Sequence, residues 1–119
     1  MASPHRIFGI PFGSVYPLYL AKVEKKGRTR AELDAVIEWL TGYGAAALDD
    51  VVRRGADMAS FFREAPRLNP LRQDVRGVVC GVRVEEVEDP LMREIRILDK
   101  LVDELAKGRP LSKVLGPRP

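Results

Sequence analysis

The stretch from Asp89 to Gly108, DPLMREIRILDKLVDELAKG, decides the fold class. Asp89 followed by Pro90 pairs a helix-capping side chain with a residue whose fixed φ and missing N–H suit the first helical position. Behind them Leu91, Ile95, Leu98, Leu101, Val102 and Leu105 recur at helical spacing, and Gly108 offers a stop. The spacing predicts one long amphipathic helix that must bury its stripe against other elements. Its opposite face sets Lys100 against Glu104 and Asp103 against Lys107, the pattern of a solvated surface.

Upstream, Asn69-Pro70-Leu71 has the same form and predicts a second helix start. The residues after it read two ways. Val75, Val78, Val79 and Val82 suit a helix, whereas Val78, Cys80, Val82 and Val84 alternate as a strand would, with Gly77 and Gly81 on the strand side. A lone strand would find a partner only in the amino-terminal arm. The expectation is therefore a helix here, with a two-stranded pairing of the arm and residues 77–84 as the alternative.

In the first half, Pro4, Gly9, Pro11 and Gly13 interrupt Ile7, Phe8, Ile10 and Phe12, so residues 1–13 read as an irregular arm packed on the core. Ser14 stands where a cap belongs and Pro17 in a first turn, predicting a helix from Val15 to Lys26 before Gly27. Thr29 and Glu32 form a capping box, Leu33, Val36, Ile37 and Leu40 follow, and Gly42 permits a left-handed stop: a helix from Arg30 to Thr41. Two short helices, Ala45 to Arg54 and Met58 to Ala65, fit the Leu48, Val51, Val52 stripe and the Asp57 cap. Residues 109–119 read as a partly flexible tail. The sum is an all-α, compact orthogonal bundle of about five to six helices with an irregular arm; the alternative is α+β with a small two-stranded sheet.

The chain has 119 residues, 45% of them hydrophobic, which supports one core and one domain. No apolar run reaches the roughly 20 residues of a bilayer span, and the first twelve residues lack a signal pattern, so no membrane partner and a cytoplasmic location are expected. One cysteine and one histidine, Cys80 and His5, cannot make a disulfide or a Cys/His zinc set, and no metal or cofactor is indicated. The net charge of +3 comes from 20 basic and 17 acidic residues that are interspersed, which favours solubility over nucleic-acid binding.

The stretches SVYPLYLAKVEKKGRTRAE (14–32), WLTGY (39–43), FFREAPRLNP (61–70) and GVVCGVRVEEVEDPLMREIRILDKLVDELAKG (77–108) closely resemble a small bacterial family known as domain of unknown function 2200. The resemblance runs from about Ile7 to Gly108 and implies a compact helical bundle with no assigned activity. It carries over no catalytic or binding residue.

Several side chains could carry chemistry, each with a plainer role beside it. Lys25, Lys26, Arg28 and Arg30 stand at a turn before a helix N-terminus, where an anion would be held, although dipole compensation explains the lysines. Glu32, Asp34 and Glu38 on the following helix would repel phosphates, so a nucleic-acid partner is disfavoured. Tyr16, Lys22, Trp39, Tyr43 and Arg83 would make a mixed aromatic and cationic pocket if they converged. Cys80 would need His5 as a base to act as a nucleophile, and a buried reduced thiol is the plainer expectation. Arg83 is expected in a buried or half-buried ion pair, and Glu85, Glu86, Glu88 and Asp89 as capping and solvated acids. No catalytic residue is assigned. The leading functional expectation is a small non-enzymatic binding or interaction module that self-associates through apolar surface on its arm or last helix. A small-molecule or phosphate-binding protein, with or without enzyme activity, is the alternative, and nucleic-acid binding through the basic turn a weaker one.

Overall fold

The computed structural model describes residues 6–116. It contains α1 (Phe12–Lys25), α2 (Arg30–Thr41), α3 (Ala45–Arg53), α4 (Met58–Arg63), a hairpin of β1 (Val78–Val79) and β2 (Val82–Arg83), α5 (Pro90–Ala106) and α6 (Leu111–Leu115). The protein is thus mostly helical, with one small antiparallel sheet among the described residues.

The long helix is the hub. Asp89 Oδ1 accepts the Met92 N–H at 2.9 Å, Pro90 sits in the first turn, and the expected stripe is buried apart from the half-buried Leu91. α5 packs against α1, α2, α4, α6 and the hairpin. Leu98, Leu101 and Leu105 are fully buried there, each contributing about 2 kcal/mol by removal from water. The other face of α5 departs from expectation. Lys100 and Asp103 side chains are only 15% exposed and Glu104 8%, because α1 and the chain after α5 lie against them. Lys22 of α1 pairs with Asp103 at 3.2 Å, and Arg109 approaches Glu104 at 3.7 Å. These charges tie helices together instead of facing solvent.

α2 forms as its boundary signals predict: the Thr29 and Glu32 capping box is complete, and Gly42 adopts φ +82°. That glycine meets more than a turn requirement. A Cβ there would lie 3.0 Å from the backbone nitrogen of Arg67, because residues 66–69 run across the end of α2 and donate to the carbonyls of Thr41 and Leu40. α4 is capped by Asp57 and carries Phe61, which stacks on Phe12 at 4.0 Å and on Tyr43 at 4.9 Å.

α1 begins at Phe12, earlier than expected, with Pro11 before it and no side-chain cap from Ser14. The arm explains the earlier start. A 3-10 turn over Arg6–Gly9 packs Ile7, Phe8 and Ile10 on the core, and Pro11 bridges to Asp57. Phe12 N–H then donates to Ala56 O and Met58 N–H to Ile10 O, so the arm pairs with the α3–α4 connection and not with residues 77–84. Pro17 consequently lies inside the helix rather than in its first turn.

The helix expected over 75–84 is not formed. Asn69 caps a short 3-10 turn, Pro70–Asp74, after which Val75 is fully buried in extended backbone and Gly77 takes φ +112°. Val79 pairs with Val82 across a two-residue turn in which Cys80 and Gly81 both have positive φ, the backbone that a tight hairpin demands. The strand thus supplies its own partner. In the expected tail, residues 111–115 form α6, whose Val114 is fully buried, and α6 packs on α2 and α5.

Candidate functional site

The residues singled out from the sequence are dispersed. Tyr43 belongs to the core, its hydroxyl donating to Phe61 O at 2.7 Å, and burial pushes its phenol up. Trp39 is half-buried in an open trough with Pro66, Arg67, Pro70 and Leu71. Lys22 is committed to Asp103, and Arg83 is exposed on the hairpin, 3.7 Å from Glu85. Arg28 is folded back onto Glu32 at 2.7 Å and donates to the Arg109 carbonyl, which leaves its side chain only 14% exposed. Lys25 and Lys26 stay exposed at the end of α1. The five pocket residues do not line one cavity, and within the basic run Arg28 is paired with Glu32.

Two of the named residues do meet. Tyr16 donates from its hydroxyl to Asp34 Oδ1 at 2.5 Å, and the Arg30 guanidinium lies over its ring, 5.6 Å from the centroid. Burial, then the Asp34 hydrogen bond, pushes the Tyr16 phenol up to about 12. This trio stands at a cleft of about 380 Å³ between α1, α2 and α3.

A larger assembly escaped the sequence reading. The arm, α1 and α5 enclose a groove of about 590 Å³ whose apolar walls are Ile7, Ile10, Val15, Leu18, Met92 and Ile95. Arg6, Tyr19, Arg96 and Asp99 supply its polar groups. Asp99 is the centre of these. Its Oδ1 accepts the Tyr19 hydroxyl at 2.6 Å, its Oδ2 accepts Arg96 Nη1 at 3.1 Å, and the Cys80 thiol lies 4.0 Å away. Burial pushes the Tyr19 phenol well above its ordinary value, and the Asp99 charge adds to the effect, so this hydroxyl remains a donor throughout the physiological range. Asp99, itself fixed by the Tyr19 hydroxyl, holds the Arg96 guanidinium, whose side chain is 25% exposed at the groove. Two arginines against one aspartate leave the groove with one net positive charge.

Cys80 corrects the expectation of a buried thiol: it is exposed at the hairpin tip, with φ +52°. That conformation costs a side-chain-bearing residue about 1 kcal/mol or more, and the turn ordinarily carries Asn or Gly there. His5, the base proposed for it, lies outside the described residues. No spacing announces this assembly, since Tyr19 and Asp99 are 80 residues apart. One signal was present: Asp99 follows Ile95 by one helical turn and so borders the apolar stripe, where a carboxylate has to find partners.

Comparison with known proteins places this architecture. The model of a family described as an uncharacterized protein conserved in bacteria, DUF2200, matches residues 6–116, and the chain belongs to that family. Among solved structures, the crystal structure of uncharacterized protein SP1917 superposes with a TM-score of 0.88 at 43% identity, covering 97% of this chain and 94% of the other. No curated protein matches the chain. Neither the family nor the similar structure brings an assigned activity. Among the described residues, no helix is long and apolar enough to cross a membrane.

Proposed function

We propose that the protein is a binding module whose groove between arm, α1 and α5 takes an anionic amphiphile, a molecule with an apolar chain and a carboxylate head. The supporting observation is the joining of six apolar walls to an arginine held by a half-buried carboxylate that a tyrosine in turn fixes. A volume of about 590 Å³ lies within the ordinary range for small-molecule sites. Each methylene moved out of water contributes about 0.8 kcal/mol, which for a medium-length chain offsets the loss of ligand freedom and leaves micromolar affinity. Arg96, already oriented, supplies a charge-assisted hydrogen bond to the head. The same reading puts the module in the cytoplasm, supported by its single free thiol.

Titration calorimetry with sodium decanoate below its micelle concentration tests this. The expected result is one site with a Kd on the order of 10 μM, weakened about tenfold by Arg96→Ala and for decanol. Absence of saturable binding, or equal binding by the variant, overturns the reading.

A second reading is favoured by Leu18, which is 70% exposed at the rim of the same groove. A second copy would cover it, each Leu18 entering the other groove. Light scattering then gives twice the 13.3 kDa of one chain, reduced to one chain by Leu18→Asp. A monomer at all concentrations rejects it.

A further inference from the structure

The cleft between α1, α2 and α3 has a different character from the amphiphile groove, and it carries an inference that does not depend on that groove. Its floor is apolar, from Pro17, Leu48 and Val52, and its charged groups are Arg30, Asp34 and Asp49. One cation against two carboxylates gives it one net negative charge, opposite in sign to the groove. Gly13 lines the cleft where α1 and α3 approach closely: a Cβ there would come within 3.2 Å of Val52 Cγ1.

The charged groups are held but not saturated. Arg30 is 68% exposed, and its closest carboxylate oxygen, on Asp34, is 3.9 Å away, too far for a hydrogen bond. Its guanidinium rests instead against Tyr16 and, being 68% exposed, keeps donors in reach of a ligand. Asp34 spends one oxygen on the Tyr16 hydroxyl, and Asp49 spends Oδ2 on Arg53 at 3.0 Å. Each retains acceptor capacity. Donors and acceptors of opposite charge thus flank an apolar floor in a space of about 380 Å³.

We infer that this cleft binds a small zwitterion of the α-amino acid class with an apolar side chain. Arg30 takes the carboxylate in a bidentate contact, and the ammonium meets Asp49 and Asp34. The side chain lies on Pro17, Leu48 and Val52. A ligand bearing only an anion would meet two carboxylates, and one bearing only an ammonium would leave Arg30 unused.

The test is a chemical-shift titration of the full chain with L-leucine, and in parallel with 3-methylbutylamine and 4-methylpentanoate, which lack its carboxylate and its ammonium respectively. Leucine is expected to shift residues of this cleft saturably, and each analogue to bind at least about tenfold more weakly, the effect of losing one charge-assisted contact. Arg30→Ala is expected to equalise leucine and the amine, and Asp49→Asn to weaken the amine and leucine alike; both sites are exposed, so the fold is retained. Absence of saturable leucine shifts in the cleft overturns the inference, as does an amine that binds as well as leucine. Decanoate binding bears only on the other groove, so the two readings stand or fall separately.

Discussion

Replacing Gly42 with alanine separates two costs that the structure sets side by side. The first is conformational. Gly42 has φ +82°, where an added Cβ costs about 1–2 kcal/mol. The second is the approach of residues 66–69: the new Cβ would lie 3.0 Å from both Arg67 N and Arg67 Cβ, closer than backbone tolerates. Relief requires that segment to move, and it donates Arg67 N–H to Thr41 O and Asn69 N–H to Leu40 O, both at 2.9 Å. Stretching those bonds adds about 1 kcal/mol each, for a total of about 3–4 kcal/mol. Gly55 is the internal control, because it has φ +68° with nothing within 4 Å of its Cβ position. Gly55→Ala should cost about 1–2 kcal/mol from conformation alone. Urea unfolding of both variants, with slopes compared so that only midpoints differ, measures the two costs. If the two variants agree within about 0.5 kcal/mol, the close approach contributes nothing and the reasoning is wrong.

Other outcomes follow from the same contacts. Phe61→Ala, which empties the stack between Phe12 and Tyr43, should cost about 3–5 kcal/mol in urea unfolding, whereas Leu18→Ala, 70% exposed, should change stability by less than about 0.5. Acid should destabilise the fold through carboxyls held below their ordinary values, among them Glu32, Asp57 and Asp103. The Arg28 hydrogen bond lowers Glu32 and the Ser60 N–H lowers Asp57, while in Asp103 burial pushes upward but Lys107 and Lys22 outweigh it. Depressed folded values mean stabilisation that is present above the unfolded values of 4.5, 3.8 and 3.8 and is lost as pH falls through the folded ones. The urea midpoint should hold down to about pH 5 and fall below it; a flat profile down to about pH 2 contradicts this. In alkali the sign reverses. Tyr16, Tyr19 and Tyr43 are all raised above 10.0, so their stabilisation is full below pH 10 and lost above it. Tyrosinate absorbance should therefore appear only well above pH 10.0, together with unfolding, and a simple titration at that pH speaks against the buried phenols.

What could be read from residues alone was whatever a few neighbours decide. The Thr29 and Glu32 box, the stop at Gly42, the Asp57 cap and the Asp89-Pro90 start each act within one helical turn, and each forms. Asn69-Pro70 met the same local test and still produced only a 3-10 turn, because burial of Val75 and the positive φ of Gly77 pull the chain into extended backbone. Ser14 lost its capping role to an arm whose pairing with residues 56–58 is long-range. The hairpin was masked by Cys80, a residue not ordinarily found at a left-handed turn position. Tyr16 and Arg30 were both named for plausible chemistry and do meet, the guanidinium over the ring, because α1 and α2 pack together, which no spacing within one segment reveals. The groove was the least legible part, since its polar centre draws on α1, α5 and the hairpin and depends on how helices cross, not on any one segment.

The claim that the arm, α1 and α5 form a site for an anionic amphiphile is tested most directly by mapping where decanoate acts. In an amide chemical-shift titration, the account predicts saturable shifts at Leu18, Tyr19, Ile95, Arg96 and Asp99, with the residues of the α1–α2–α3 cleft unmoved. Shifts confined to other surfaces, or none while the protein stays folded, contradict it.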